Sequence, residues 1–401
     1  MDGGFMSLDA ALDATARVDA SDGSAFDRDA APDASGGGAS RCRVRDDGIS
    51  MVAERGFDPR SPLALAAHTR GALLSWSQYR SGKSRVTSRW FGVSADAVEA
   101  PSEGDSNQLN VSSSATRQGF FTSWSDDLGG SLGLRARRTD DDGVPLDATP
   151  VAVTSDSASY SDAVSAQGAD GNIALLYVDA NTRKASTLLL GADAKPTRAA
   201  RELFGASLGR PALAAFDSGY LVAWVDAATR RVNMQKLDAA AVPSGASVRV
   251  DSDGDAQGNL DLTTSASEGA LVWDVLVSGS RAEVRLRTFG TDGAPTGIEQ
   301  NLTPFPDSGL HPSLVAARGG YIVAYRSAQP GTLALRLLLL DGRGKLVSAS
   351  TGVLSLASLL QQDLPLAMRM TTDGLSLFVA WLDQTPNTSD YALQRAWIGC
   401  D

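Results

Sequence analysis

Seven stretches of one design recur along this chain, and their spacing constrains the fold more than any other feature. Each begins with glycine, continues as an apolar run and reaches an aromatic residue four to seven positions later. The glycines lie 48, 52, 48, 50, 51 and 54 residues apart, at Gly71, Gly119, Gly171, Gly219, Gly269, Gly320 and Gly374. The aromatic residues are Trp76, Trp124, Tyr177, Trp224, Trp273, Tyr325 and Trp381, so five of the seven tryptophans occupy one repeated position. This period of about 50 residues indicates a repeat architecture.

Each repeat has the same internal order of predicted strands. A short strand of small apolar residues precedes the glycine, as in "RPALAAF", and the glycine strand itself is apolar throughout, as expected for a strand buried on both faces. A third strand alternates polar and apolar residues, as in "RVNMQKLD", and turn residues such as "TDGAPTG" lead to a weaker fourth strand. Four strands in about 50 residues, without helical periodicity, predict an all-β fold of four-stranded antiparallel sheets that bury their faces against one another.

The pattern resembles bacterial β-propeller repeat proteins, including those with an Asp/Ala-rich leader and an inner strand like "GYLVAW" at Gly219. The resemblance covers residues 48–401 and implies a seven-bladed β-propeller of four-stranded antiparallel blades. Its motif is a repeat signature and not an active-site signature. The chain lacks the "GH…WD" pairs of the WD type and the "SxDxGxTW" runs of sialidase-like propellers.

The two ends of the repeat region predict how the ring closes. The seventh repeat ends after its third strand, and residues 48–57 stand where every other repeat has its fourth strand. We therefore expect the N-terminal strand to complete the last blade. The only two cysteines, Cys42 and Cys400, flank that closure. A disulfide between them would close a loop of more than three hundred residues, worth about 4–5 kcal/mol in the chain-entropy model. Two unrelated buried thiols are the alternative.

The first part of the chain differs in composition from the rest. Residues 1–41 are mostly Asp, Ala, Ser and Gly, with eight Asp against three Arg. Such a segment cannot bury enough surface to offset its ordering entropy, so we expect a disordered spacer over 1–41 and the propeller over 42–401. The formal net charge of −11 argues against a nucleic-acid partner, which would require a basic face.

Location is inferred from the cysteines and the leader. No run of eighteen apolar residues is present, so no transmembrane segment is expected. The start "MDGGFMSLDAALDA" is not a signal peptide, which leaves a cytosolic protein or one whose true start lies upstream. A disulfide requires an oxidising compartment. We expect an extracytoplasmic protein that is secreted, periplasmic or on the cell surface, and a missing leader could carry a lipid anchor. We also expect the protein to be a monomer.

Candidates for chemistry are few. The chain has two histidines, His68 and His311, at non-equivalent positions of their repeats, where packing is a more common role than ligation. No zincin, nucleophile-elbow or phosphate-loop motif is found in a supporting context, and a single Cys pair cannot build a thiolate metal site. We therefore assign no catalytic residue, no metal site and no cofactor, and leave the binding residues open.

Carboxylates are the next candidates, because a glycosidase needs only two. Asp126, Asp179, Asp226 and Asp383 all follow the repeated aromatic by two residues. A residue that recurs in four repeats predicts a shared structural role, so we interpret them as turn-forming residues that accept backbone hydrogen bonds. Asp274 breaks this register by following Trp273 directly, as a local bulge would explain.

One acidic stretch, residues 251–261, raises the possibility of calcium binding. Asp251, Asp253 and Asp255 alternate as in calcium loops. Ala256 stands where an EF-hand requires glycine, and Leu262 where it requires the bidentate glutamate. A solvated turn between strands is the simpler interpretation.

Three functions are compatible with these observations. The first is a non-enzymatic binding or scaffold propeller that takes a protein or glycan ligand at its face. The second is a carbohydrate-active hydrolase or lyase with carboxylates at the central channel, and the third is a calcium-dependent, lectin-like module. Polar residues unique to one repeat would mark a ligand site on the axis. The first strands supply three such exceptions: His68, Arg369 and the stretch from Asp261 to Thr264.

Overall fold

The described part of the chain is built from β-strands. A computed structural model describes residues 42–53, 56–57, 62–92, 98–101, 106–127, 131–154, 159–252, 255–265, 268–278, 281–290, 292–304, 306–329, 332–349, 354–355, 364–385 and 390–400. All of these lie in one compact unit, Ala39–Asp401. Within these ranges every regular element is a strand, and no helix could span a membrane. The predicted all-β class is confirmed, whereas the predicted spacer, 1–41, lies outside the described residues.

The strands follow the repeats of the sequence, and most repeats form one antiparallel sheet. The chain begins with β1 (Cys42–Ala53), which joins the sheet of the last repeat. The first repeat forms β2 (Ala64–Ala67), β3 (Gly71–Arg80), β4 (Lys83–Gly92) and β5 (Val98–Pro101). The second forms β6 (Gln108–Thr116), β7 (Gly119–Asp127), β8 (Leu132–Thr139) and β9 (Val151–Ala152).

The third and fourth repeats share one long strand and so form a single seven-stranded sheet. Its strands are β10 (Tyr160–Gln167), β11 (Ile173–Asp179), β12 (Lys184–Leu190), β13 (Arg201–Phe216), β14 (Gly219–Asp226), β15 (Val232–Leu237) and β16 (Val248–Arg249). The first part of β13 pairs with β12 and the remainder pairs with β14. One strand therefore serves as the fourth strand of one repeat and the first strand of the next.

The remaining repeats return to separate sheets. The fifth forms β17 (Asp255–Thr264), β18 (Gly269–Ser278), β19 (Arg281–Phe289) and β20 (Pro295–Asn301). The sixth forms β21 (Ser308–Ala317), β22 (Gly320–Gln329), β23 (Thr332–Asp341) and β24 (Leu346–Ala349), with β25 (Leu354–Ser355) also paired to β23. The seventh forms β26 (Leu366–Met370), β27 (Ser376–Gln384) and β28 (Tyr391–Cys400).

The glycine strands lie where burial is greatest. In β14 and β27 every residue except the last is buried, because sheets of neighbouring repeats cover both faces. The repeated aromatic residues are all buried, with exposed fractions between 0% for Trp273 and 6% for Trp224. These side chains contribute to apolar clusters between successive sheets, so the repeated position is a packing position.

The first and last repeats also pack on each other. One apolar cluster joins Leu74 of β3 to Leu382 of β27, and the rings of Phe91 and Phe378 lie 5.3 Å apart between centroids. The first strand of each repeat contacts that of the next, and β26 contacts β2. The hydrophobic core thus runs between all neighbouring repeats, including the first and the seventh.

The N-terminal strand pairs with the last strand of the chain, in the sheet order β1–β28–β27–β26. It begins at Cys42 and ends at Ala53, so it starts earlier and ends earlier than the segment 48–57 expected from the sequence. An irregularity between Val44 and Ile49 interrupts the pairing. Cys42 and Cys400 stand opposite each other in the backbone register of this ladder.

The hairpin that joins the third and fourth strands packs on the preceding repeat. In the second repeat, the Oδ1 of Asp140 accepts the backbone N–H of Val144 at 2.8 Å, which closes the turn. Gly143 has a φ of +79°, and a Cβ at this position would lie 2.4 Å from the Cβ of Trp90 on β4. Glycine permits both the left-handed backbone and the close approach.

Candidate functional site

The first strands of all seven repeats surround one central cavity of about 170 Å³. Most of its lining is small or aliphatic. Its polar side chains are Ser112, Ser113, Ser165, Arg210, Asp261, Ser313 and Arg369. Two of the three exceptions noted in the sequence, Arg369 and the stretch that begins at Asp261, therefore meet here.

Asp261 and Arg369 form an ion pair in this cavity. The Nη1 of Arg369 on β26 donates to Oδ2 of Asp261 on β17 at 3.1 Å. The same oxygen accepts the Oγ–H of Ser313 at 2.9 Å and the backbone N–H of Leu314 at 3.0 Å, both on β21. One carboxylate oxygen thus links the fifth, sixth and seventh repeats.

Arg210 is the other cation of the cavity, and the sequence analysis missed it. Its Nη2 donates to the backbone oxygens of Val111 at 3.0 Å and Ala163 at 2.5 Å, which lie on β6 and β10. No carboxylate of the described residues forms an ion pair with it, and its Nε is buried without a hydrogen-bond partner. Desolvation lowers the pKa of Arg210 to about 10; the charge of Arg369 acts in the same direction, and the charges of Asp162 and Asp261 oppose it. The signal available in the sequence was a charged residue where the equivalent positions of the other bulged repeats, Val111, Ala163, Asn259 and Pro312, are uncharged.

A second cavity of about 360 Å³ adjoins the first at one end of the strands. Arg210 and Leu366 line both cavities, and Asn110, Asp162, Asn259 and His311 line only this one. Asp162 is held by the Nη1 of Arg183 at 2.7 Å. The second cavity has the larger volume and shares lining residues with the first, and we call it the mouth.

The mouth is formed by bulges that recur in five repeats. The first strand interrupts its pairing there, and one residue in each gap has a positive φ. These residues are Asn110 (+54°), Asp162 (+50°), Gly209 (+66°), Gly258 (+91°) and His311 (+48°). A bulge turns the following side chain out of the regular alternation. In the fourth repeat the following residue is Arg210.

Asp274 lies beneath the mouth and is completely buried. Its Oδ2 accepts the Nδ2–H of Asn259 at 2.8 Å and the backbone N–H of His311 at 3.3 Å, while Oδ1 has no hydrogen-bond partner among the described residues. Burial raises the pKa of Asp274, although His311 and these hydrogen bonds oppose the shift. The residue that breaks the repeated register therefore positions two residues of the mouth.

His68 lies at the opposite end of its strand, away from these cavities. Its Nε2 lies 2.6 Å from the backbone oxygen of Thr116 and 3.0 Å from that of Gly119. Its ring packs edge-on against Phe120, with 5.2 Å between centroids. His68 thus connects the first and second repeats by packing and hydrogen bonding.

Two of the four repeated aspartates form turns as predicted. Asp179 accepts the backbone N–H of Thr182 at 2.6 Å, and Asp226 accepts that of Thr229 at 2.8 Å. These bonds hold the pKa of Asp179 below its ordinary value. Asp126 instead accepts a hydrogen bond from Ser106, and Asp383 is buried.

The described carboxylates of the acidic stretch each have an arginine partner, including Asp261 with Arg369. Asp251 is buried and bonded to Arg231 at 3.3 Å and to Arg249 at 3.1 Å. Asp255 pairs with Arg230 at 3.4 Å, and Asp253 lies outside the described residues. Two of the three proposed calcium ligands therefore have arginine partners.

The sequence matches no protein-family model and no curated protein. The fold is similar to that of a solved Kuenenia stuttgartiensis hydrazine synthase (11% identity, 84% of this chain, 96% of that chain, TM-score 0.54). It is also similar to the polysaccharide lyase Uly1 (8% identity, 84% and 90% coverage, TM-score 0.53). A further match is the Dos1 propeller (10% identity, 86% and 95% coverage), with a TM-score of 0.42. At such identities the likeness of the first two structures concerns fold alone, and the described part of this chain is an all-β fold of antiparallel sheets.

Proposed function

We propose that residues 42–401 form a seven-bladed β-propeller closed by β1. The seven repeats, the first strands that contact one another in sequence order, and the contact between β26 and β2 support this count. The shared apolar cluster of the first and seventh repeats supports the closure. In this arrangement β1 is the outer strand of the seventh blade, and the first strands surround the axis.

We propose further that a disulfide joins Cys42 and Cys400. Directly opposite residues of an antiparallel ladder have Cα atoms about 4.5–5.5 Å apart, within the range of about 4.4–6.8 Å that a disulfide requires. The register that places the two cysteines opposite each other supports the bond. Such a bond persists in oxidising compartments, so the protein acts outside the cytoplasm.

Our proposal for function is ligand binding, without catalysis, at the central cavity. This cavity would lie on the axis of the proposed propeller, and we call it the axial cavity. The observation that carries it is the convergence of polar side chains that occur in single repeats, chiefly Arg210, Asp261 and Arg369, on a cavity formed by all seven first strands. Propeller blades need none of these side chains for their repeated packing. Polar residues that occur in single repeats and meet at one cavity are the arrangement expected of a ligand-binding site.

The alternative, a carbohydrate-active hydrolase or lyase, requires available carboxylates. The two that line the axial cavities are engaged: Asp261 by Arg369, Ser313 and Leu314, and Asp162 by Arg183. Asp274 is buried beneath the mouth and does not line either cavity. These contacts favour binding over hydrolysis.

The test compares complex formation with product formation. The purified chain is incubated with panels of soluble polysaccharides, peptides and small organic acids, and bound ligand and released products are measured in parallel. The variants Ser165→Trp and Leu366→Trp fill the axial cavity, and Tyr79→Trp, at a residue 60% exposed on β3, is the matched control. We expect saturable binding without product, lost in the two cavity variants and retained in the control. Product formation that both cavity variants abolish would overturn the proposal in favour of the enzyme.

A further inference from the structure

The axial cavity is lined by two arginines that belong to different repeats. Arg210 extends from β13 in the fourth repeat and Arg369 from β26 in the seventh. The two are close enough for the charge of Arg369 to disfavour the charged form of Arg210. Asp162 and Asp261 act on Arg210 in the opposite direction, so charged groups of four repeats meet in this region.

The hydrogen-bond donors of these two groups are only partly used. Arg369 donates through Nη1, to Asp261 and to the backbone oxygen of Met368 at 2.7 Å. Arg210 donates through Nη2, to Val111 and Ala163. A guanidinium has five N–H groups. Among the described residues no acceptor bonds Nε or Nη2 of Arg369, or Nε or Nη1 of Arg210.

Among the described residues, the lining of this cavity carries two arginines and one carboxylate. That carboxylate, Asp261, already has the Nη1 of Arg369, the Oγ of Ser313 and the N–H of Leu314 as donors. Arg210 has only neutral carbonyl partners and no ion pair within the described part of the chain. Arg210 is partly buried, so the effective dielectric around it is lower than in water, and the nearest favourable charge, that of Asp162, is already bound to Arg183. A guanidinium in this setting favours an anion.

The volume and lining of the cavity limit the kind of anion that it can bind. The volume of about 170 Å³ is below the 300–1,000 Å³ usual for drug-sized ligands, so one small molecule or one terminal group fits. Leu65, Val164, Leu213 and Leu262 belong to the lining, but most of the accessible surface of the cavity is polar. Among the described residues no Phe, Tyr or Trp lines either axial cavity, so a sugar ring lacks the phenyl or indole surface on which it would stack.

We propose that the axial cavity binds the carboxylate of a small molecule or chain end, with Arg210 and Arg369 as the residues that bind it. The planar fork of arginine matches the two oxygens of a carboxylate, and the small volume limits the size of the rest of the ligand. The carboxylate belongs to a free organic acid or to the end of a peptide. This inference rests on the proposed function, because it specifies the ligand of the same site.

The test is isothermal titration with butyrate as a free acid and N-acetylalanine as a peptide end. Butyramide and N-acetylalanine amide are the neutral counterparts, and phosphate and sulfate are the competing anions. We expect Arg210→Gln and Arg369→Gln each to weaken carboxylate binding at least tenfold. Arg230→Gln, which alters a half-exposed surface ion pair with Asp255, should leave it unchanged. Whichever of butyrate and N-acetylalanine binds more tightly shows whether the carboxylate comes from a free acid or from the end of a peptide.

A further variant separates ligand binding from structural support. Asp261→Asn removes the carboxylate that competes for Arg369, so we expect it to tighten carboxylate binding severalfold. A residue with only a structural role would weaken binding when altered. Absence of carboxylate binding, equal binding of the amides, or equal binding of phosphate and sulfate would overturn the inference. If Ser165→Trp abolishes the binding of a neutral ligand that the arginine variants still bind, the inference fails and the proposed function stands.

Discussion

Arg369 donates a hydrogen bond of 3.1 Å to Asp261, a residue 108 positions earlier in the chain and two repeats away. Neighbouring first strands contact each other along the chain order, but this pair connects the fifth repeat to the seventh across the central cavity. Side chains that cross the centre can both hold the first strands in place and present charge to a ligand.

The first prediction concerns the stability that this pair provides. Asp261→Ala leaves Arg369 without its carboxylate and the Oγ of Ser313 without an acceptor. Because these groups are partly buried, we expect the free energy of unfolding to fall by about 2–3 kcal/mol, as measured by urea denaturation. Asp255→Ala, which removes a half-exposed ion pair with Arg230, should cost under about 1 kcal/mol. Equal losses for the two variants would contradict a special role for Asp261.

The second prediction concerns the repeated aromatic position. Trp273 is completely buried between the sheets of the fourth and fifth repeats. Trp273→Ala leaves a cavity and should lower the free energy of unfolding by about 3–5 kcal/mol. Tyr79→Ala, at a residue 60% exposed, should change it by no more than about 0.5 kcal/mol. Denaturant unfolding of both variants checks this, and a small loss for Trp273→Ala would count against the packing role.

The third prediction compares two glycines of similar backbone geometry. Gly143 and Gly82 have φ values of +79° and +84°, but a Cβ at Gly143 would meet Trp90 at 2.4 Å, whereas nothing lies within 4 Å of one at Gly82. Gly82→Ala should cost about 1 kcal/mol from backbone strain alone. Gly143→Ala adds the clash and should cost at least about 2 kcal/mol. Thermal unfolding of the pair measures the difference, and equal costs would show that the hairpin does not press on the preceding repeat.

The fourth prediction concerns the pH dependence that Asp274 contributes. Burial raises its pKa in the folded protein above the ordinary aspartate value near 4. Between the two values the folded protein therefore binds more protons than the unfolded chain, and this contribution to stability falls as pH rises through that range. Asp274→Asn removes the titration. We expect the stability of the asparagine variant relative to the wild type to increase from pH 4 toward neutrality. Denaturation across that range would contradict the assignment if the difference stayed constant or reversed.

The repeated features could be predicted from the sequence because the same local pattern occurs in each repeat. The glycine at Gly219 and the aromatic residue at Trp224 belong to an apolar strand whose two-sided burial follows from local composition. Asp179 forms its turn through hydrogen bonds within three residues, which a local pattern contains. Features of this kind depend on nearest neighbours.

The features of the cavity depend on tertiary contacts and so were only partly predictable. Asp261 and Arg369 stood out separately, but nothing local indicates that they meet. Arg210 enters the cavity after a bulge that begins at Gly209, and strand alternation does not predict that bulge. Asp126 has the same sequence register as Asp179 and yet bonds Ser106, so identical spacing does not guarantee an identical partner.

The proposed ring is closed by its two chain ends, and one measurement tests this closure most directly. The chain is produced in an oxidising compartment, alkylated while folded with and without reductant, and its intact mass is determined. Because Cys42 and Cys400 stand opposite each other in the β1–β28 ladder, we expect no alkylation until reductant is added and two alkyl groups afterwards. Cys400→Ser, with a single thiol left, should be labelled at Cys42 without reductant. Labelling of both thiols in the folded, unreduced wild type would contradict the disulfide-closed propeller.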